Sequence, residues 1–144
     1  MIRQKTRYGL GATVPLDYEQ AVTRTREALA AEGFGVLTEI DVAATLKKKL
    51  DVDFRPYVIL GACNPPLAHR ALLAERDIGL LLPCNVIVHA HGNRTRVDVA
   101  DPIVMLGIVR NEELGSIAKD AAQRLHRALD HIATAVVHES ADQG

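Results

Sequence analysis

The stretch Asn85–Ala100, NVIVHAHGNRTRVDVA, admits one arrangement. Gly92–Asn93 is a two-residue turn, and glycine in the first position suits type II′, the turn whose twist matches paired antiparallel strands. With the turn there, His91 faces Arg94, His89 faces Arg96 and Ile87 faces Asp98. The alternate pairs are Ala90 with Thr95, Val88 with Val97 and Val86 with Val99. One face is apolar and the other carries His89, His91, Arg94, Arg96 and Asp98. A slip of one residue would exchange the two faces, so turn chemistry and alternation specify the same register. Carried further, that ladder sets Cys84 opposite Asp101, and Asp101–Pro102 ends the strand because proline lacks the ladder donor.

A hairpin alone is marginal and needs a hydrophobic cover. The rest of the chain supplies it. Thr6–Ala12 reads as a first strand, loosened by Gly9 and Gly11. Asp17 caps a helix with Gln20 three residues on, Leu16 staples onto Ala21, and Gly33 stops it. Val36–Ile40 is a short strand. Asp41–Leu50 is a short helix with Val42, Leu46 and Leu50 on one face; Lys47, Lys48 and Lys49 suit its negative end and form a solvated run. Tyr57–Gly61 is a continuous apolar run that predicts a strand buried on both faces. Asn64 then caps a helix with Pro65 at its first position, and Gly79–Pro83 is read as extended. The last element is a long helix, capped by Asn111, whose stripe runs through Leu114, Ile117, Ala121, Leu125, Ala128, Ile132 and Val136. The fold class is α+β, a mainly antiparallel sheet with helices packed on it. Residues 1–138 form a single domain, and 139–144 are a polar tail expected to fray.

Aromatic residues are 3% of the 144, so the core is aliphatic, and the formal net charge of −1 argues against a nucleic-acid partner. No apolar run is long enough to span a membrane, and the start has no signal-peptide core, so a cytoplasmic location and reduced thiols are expected.

Both cysteines precede an asparagine and have a proline within two positions, in GACNPP and LPCN. Cys63 sits where a buried strand meets a helix N-terminus, a place that favours thiolate over thiol. If strand Tyr57–Gly61 runs antiparallel to Asn85–His91, the two cysteines meet at one end of the sheet. The extended Gly79–Pro83 would span about 16 Å and make that return possible. Cys63, Asn64, Cys84, Asn85 and Asp101 are then the ligand-binding candidates, with Cys63 and Cys84 as ligands for a possible soft metal ion. Buried cysteine as a small hydrophobe and Asn-Pro as plain turn chemistry are the structural alternative. His89 and His91 share a face but lack a completing ligand set, and no catalytic triad or phosphate-binding glycine loop is readable.

The region from about Tyr8 to Met105, densest in GACNP, GLLLPCNV and VDVADPIVM, resembles an uncharacterised bacterial family called domain of unknown function 302 (DUF 302). The resemblance implies a small α+β domain, often a homodimer, and implies no reaction. Three functional expectations follow. One is a module that binds a small ligand, soft metal or sulfur species near Cys63 and Cys84. The second is a thiol-dependent enzyme or sulfur carrier using Cys63. The third is a structural homodimer without chemistry.

Overall fold

The computed structural model describes the backbone of residues 3–143 and the side chains of residues 5–133. In chain order the elements are β1 (Arg3–Lys5), β2 (Gly9–Val14), α1 (Tyr18–Ala31), β3 (Gly35–Asp41), α2 (Val42–Leu50), β4 (Tyr57–Cys63) and α3 (Pro65–Ala74). A 3-10 segment (Arg76–Leu81) follows, then β5 (Cys84–His91), β6 (Arg94–Ala100), α4 (Pro102–Gly107) and α5 (Glu113–Gln143). The strands form one antiparallel sheet in the order β1-β2-β6-β5-β4-β3. The protein is thus α+β, with a helix layer on one face of the sheet.

The hairpin has the predicted register at all six pairs, from Val86–Val99 to His91–Arg94. Gly92 has φ 62°, while Asn93 stays out of the left-handed region, as type II′ requires. Val58, Leu60, Val86, Val88 and Val97 are buried under α1 and α5. Each such side chain contributes about 1.5–3 kcal/mol by leaving water, which holds the register against a slip. Thr95, the polar member of this face, is buried because its hydroxyl donates to the Leu16 carbonyl at 2.7 Å.

Three helix starts follow from local chemistry. The Asp17 carboxylate accepts from the Gln20 amide at 2.8 Å, Asp41 from Ala44 at 2.9 Å, and the Asn64 side-chain oxygen from Leu67 at 3.3 Å. Asn111 accepts from the Glu113 amide at 3.0 Å at the start of α5.

Four expectations need correction. The strand expected at Thr6–Ala12 is β2, the second strand, and runs from Gly9 to Val14, because Thr6 closes a turn onto Gly9 that joins it to β1. Tyr57–Gly61 is not buried on both faces: Val58 and Leu60 are buried, whereas Tyr57 and Ile59 are half-exposed on the helix-free face. Gly79–Pro83 is not extended. Arg76–Leu81 coils as a 3-10 segment anchored by buried Ile78, and a cis Leu82–Pro83 bond leads into β5. The return to the same sheet end is made all the same, since β4 and β5 are antiparallel. The pairing of Cys84 with Asp101 is absent, because the β5–β6 ladder stops at Val86–Val99. The helix backbone of α5 runs to Gln143. The side chains of the expected tail, and that of Val136, lie outside the described residues.

Two apolar clusters result. The larger joins the sheet to α1 and the middle of α5. The smaller joins α3, the 3-10 segment, α4 and the start of α5 beyond the end of the sheet.

Candidate functional site

The seam between these clusters holds a cavity of about 180 Å³. Phe34 and Ala62 border it from the sheet side, Ala71 and Leu106 from α3 and α4, and Ile117 and Ala121 from α5. Cys63, Asn64, Cys84 and Asn85 lie on its rim. The sequence folds this way because β4 ends where α3 begins, and β5 begins beside that end. Ala62 is the ladder partner of Cys84, and Cys63 is the next residue. Paired α-carbons are about 4.5–5.5 Å apart and consecutive ones about 3.8 Å, so the cysteine α-carbons are no more than about 9 Å apart.

The two similar motifs also touch. A Cβ at Gly61 would run into the Thr38 hydroxyl and into the Pro83 ring at 2.8 Å. The glycine of the first motif therefore makes room for the proline of the second. That close approach sets Cys84 beside Ala62.

The thiols differ. Burial, and secondarily the neighbouring charge of Cys63, push the Cys84 thiol up to about 11. Cys84 is thus a neutral thiol at physiological pH, facing an apolar space. Asn64 is committed to structure: besides capping α3, its amide donates to the Glu32 carbonyl at 3.4 Å and ties α3 to the end of α1. Asn85 is exposed. Asp101 is not brought into the cavity. Its carboxylate accepts from the Ile103 amide at 3.0 Å and caps α4. As a metal centre the donor set is short. Among the described residues no three of His, Cys, Asp and Glu come together, and closed zinc sites take four donors.

The other face of the sheet carries a second constellation. Arg96 is only 8% exposed although it alternates with the core residues. Its guanidinium donates to both oxygens of Asp98, at 2.9 and 2.8 Å, and to the Thr13 hydroxyl at 3.3 Å. The bidentate geometry is what lets a charge sit there. Gly11 leaves the space, since a Cβ would strike the Asp98 carboxylate. Tyr57 stacks on its ladder partner His89, with ring centres 5.0 Å apart and planes 12° apart. Burial foremost, then the Asp98 carboxylate, raises the Tyr57 phenol above its ordinary value, so it remains a proton donor. Tyr57, His89 and Asp98 are half-buried on this face and Arg96 is buried.

Sequence reasoning missed the cavity walls from the 3-10 segment and α4, both too short for periodicity to reveal. One signal was present: Asp101–Pro102 repeats the pattern of Asn64–Pro65, a capping side chain followed by proline at the first helical position.

A six-stranded antiparallel sheet covered by helices on one face, with a small cavity where β4 and β5 meet α3, defines a class of compact α+β domains. The chain belongs to the family described as domain of unknown function DUF302, whose model matches residues 10–132 and so runs on through most of α5. It is similar to the crystal structure of an uncharacterised conserved DUF302 protein from Bacillus stearothermophilus. The identity is 32%, with a TM-score of 0.82 over 88% of this chain and 99% of that one. No curated protein matches the chain. Among the described residues no helix is long and apolar enough to cross a membrane.

Proposed function

We propose that the chain is a small-ligand-binding module whose site is the cavity rimmed by Cys63 and Cys84. The observation that carries this reading is the cavity itself: about 180 Å³, walled by aliphatic side chains, with the neutral Cys84 thiol at its edge. An apolar cavity of about 150 Å³ is enough to bind a benzene-sized molecule. The scarcity of donors favours an uncharged small molecule over a tetrahedral metal ion. A thiol held at about 11 disfavours Cys84 as a nucleophile and leaves Cys63 as the residue for a sulfur-carrier reading.

Native mass spectrometry of protein purified under reducing conditions separates these outcomes. The proposal expects a non-covalent adduct of small-molecule mass that is lost on denaturation. A metal adduct abolished by Cys63→Ser and Cys84→Ser would favour the soft-metal reading. A sulfur adduct that survives denaturation and maps to Cys63 would favour the carrier reading. Protein with nothing bound, and no ligand taken up from solution, would leave the cavity as packing only.

A homodimer is a second reading, and a specific observation favours it. α2 has no buried residue, and Leu37, Ile40, Leu50 and Phe54 are exposed on and around it, Leu50 at 66%. Exposed apolar side chains gathered on an edge strand and its following helix suit an isologous contact with a second copy. Sedimentation at micromolar concentration tests it: a monomer throughout would remove the dimer and leave the ligand reading standing.

A further inference from the structure

The face of the sheet opposite the helices carries a groove of about 690 Å³, lined by Tyr8, Thr13, Tyr57, His89, Arg96 and Asp98 among others. Three residues line both this groove and the thiol cavity: Asn85, Ala100 and Met105. The sheet explains how a residue can border spaces on its two sides. The β5–β6 ladder stops at Val86–Val99. Below that pair β5 continues down to Cys84 against β4, and β6 continues to Ala100 against β2. The two central strands therefore part, each held by its outer neighbour, and the sheet is forked at this end. Asn85 and Ala100 are the two sides of the fork, and Met105 of α4 lies at its mouth. Methionine is unbranched and changes rotamer readily, and alanine is small, so the fork is lined by side chains that can make way.

We infer that the thiol cavity and the open-face groove are two compartments of one site, joined through this fork past Met105. The ligand class is an uncharged amphipathic molecule with an aliphatic arm of a few carbons and a planar, hydrogen-bonding head. This rests on the reading of the thiol cavity as a binding site and adds where the rest of the ligand lies. The inner compartment is aliphatic and suits the arm. The outer one offers the Tyr57–His89 stack as a flat surface, with hydroxyl and imidazole groups to meet a polar head. Its one buried cation is tied to Asp98 through both carboxylate oxygens, so the groove has no preference for an anionic head.

The series phenol, 4-ethylphenol and 4-butylphenol tests this by calorimetry. Affinity should rise about fourfold for each methylene that enters the inner compartment. In Ala71→Phe, which fills that compartment, phenol should bind as before and the chain-length dependence should vanish. In Tyr57→Ala phenol itself should weaken while the dependence on chain length persists. In the unmodified protein, proton NOEs should connect the phenol ring to Tyr57 or His89 and the terminal methyl to Ala71, a result that needs no variant to fold. Ring NOEs to α3 in place of Tyr57, or a flat affinity series in the unmodified protein, would overturn the two-compartment site. If toluene nevertheless protects Cys84 from alkylation, the inner cavity stands alone as the binding site. If toluene gives no protection either, both readings fail together.

Discussion

Raising the pH on a Cys63→Ser variant isolates Cys84 and asks whether its environment is the apolar wall described above. The ordinary value for a thiol of this kind is 9.0, and in the fold Cys84 is pushed up to about 11, chiefly by burial. Removing Cys63 takes away only the smaller cause. Two pH units mean about a hundredfold less thiolate at neutral pH than an exposed thiol would have. The rate of iodoacetamide alkylation, followed by mass spectrometry, should therefore be about a hundredfold below that of a free cysteine peptide at pH 7.5. It should climb about tenfold between pH 9 and pH 10, where the peptide's rate less than doubles because half of its thiol is already ionised at pH 9. Stability is linked to the same shift. Because burial penalises the thiolate, the folded state holds this proton more tightly than the unfolded chain does. The stability so gained is fully present below about pH 9 and is lost between about 9 and 11, about 3 kcal/mol in all, and Cys84→Ala should not show that loss. A rate that levels off near pH 9 would refute the burial argument and, with it, the picture of Cys84 as a neutral thiol facing an apolar space.

Three further outcomes are expected. Asp98→Ala leaves the 8%-exposed Arg96 without its bidentate partner and should cost about 3–5 kcal/mol in urea denaturation, whereas Arg96→Met with Asp98→Leu should recover most of it; a single-variant loss below about 1 kcal/mol would mean that the pair behaves as a surface one. Gly61→Ala forces a Cβ against Thr38 and Pro83 and should destabilise by about 1–3 kcal/mol while speeding alkylation of Cys84, because the two motifs are pushed apart; wild-type stability and rate would contradict the close approach. If the proposed second copy binds across β3 and α2, the unmodified protein should sediment as a dimer and Leu50→Glu with Phe54→Glu as a monomer with unchanged circular dichroism, since both side chains are exposed in the single chain; a monomer in both would remove the contact.

What could be read from the sequence was what is decided locally. The turn at Gly92–Asn93 and the alternation around it determine six ladder pairs, because a period of two leaves no other register with one apolar face. Asp17, Asp41 and Asn64 announce their helices because a cap is an interaction over three residues. The antiparallel placement of β4 beside β5, and hence the meeting of Cys63 and Cys84 at one sheet end, was open in the sequence as one of two connections; the structure makes that return through a 3-10 coil, not through the extended segment expected at Gly79–Pro83. The misses have common causes. A six-residue helix such as α4 and the 3-10 segment are too short to display a period. The burial of Arg96 was not legible because alternation marks which face a residue is on and says nothing of what lies over it; the space for its ion pair comes from Gly11, distant in sequence. Asp101 was assigned to the cavity by extending a ladder that in fact stops two pairs short, since residue 101 turns away to cap α4. The cavity itself is a tertiary object, assembled from seven elements whose walls no single stretch reveals.

The central claim, that this cavity takes up a small apolar molecule, is tested most directly by ligand protection of Cys84 in the full chain. Alkylation of Cys84 is followed at pH 9 with and without saturating toluene, in the unmodified protein and in Ala71→Phe. The account predicts that toluene slows the reaction at least about tenfold in the unmodified protein, the factor for a site about nine-tenths occupied. In Ala71→Phe, whose added ring fills the cavity, toluene should make no difference. Equal rates with and without toluene in the unmodified protein would contradict it.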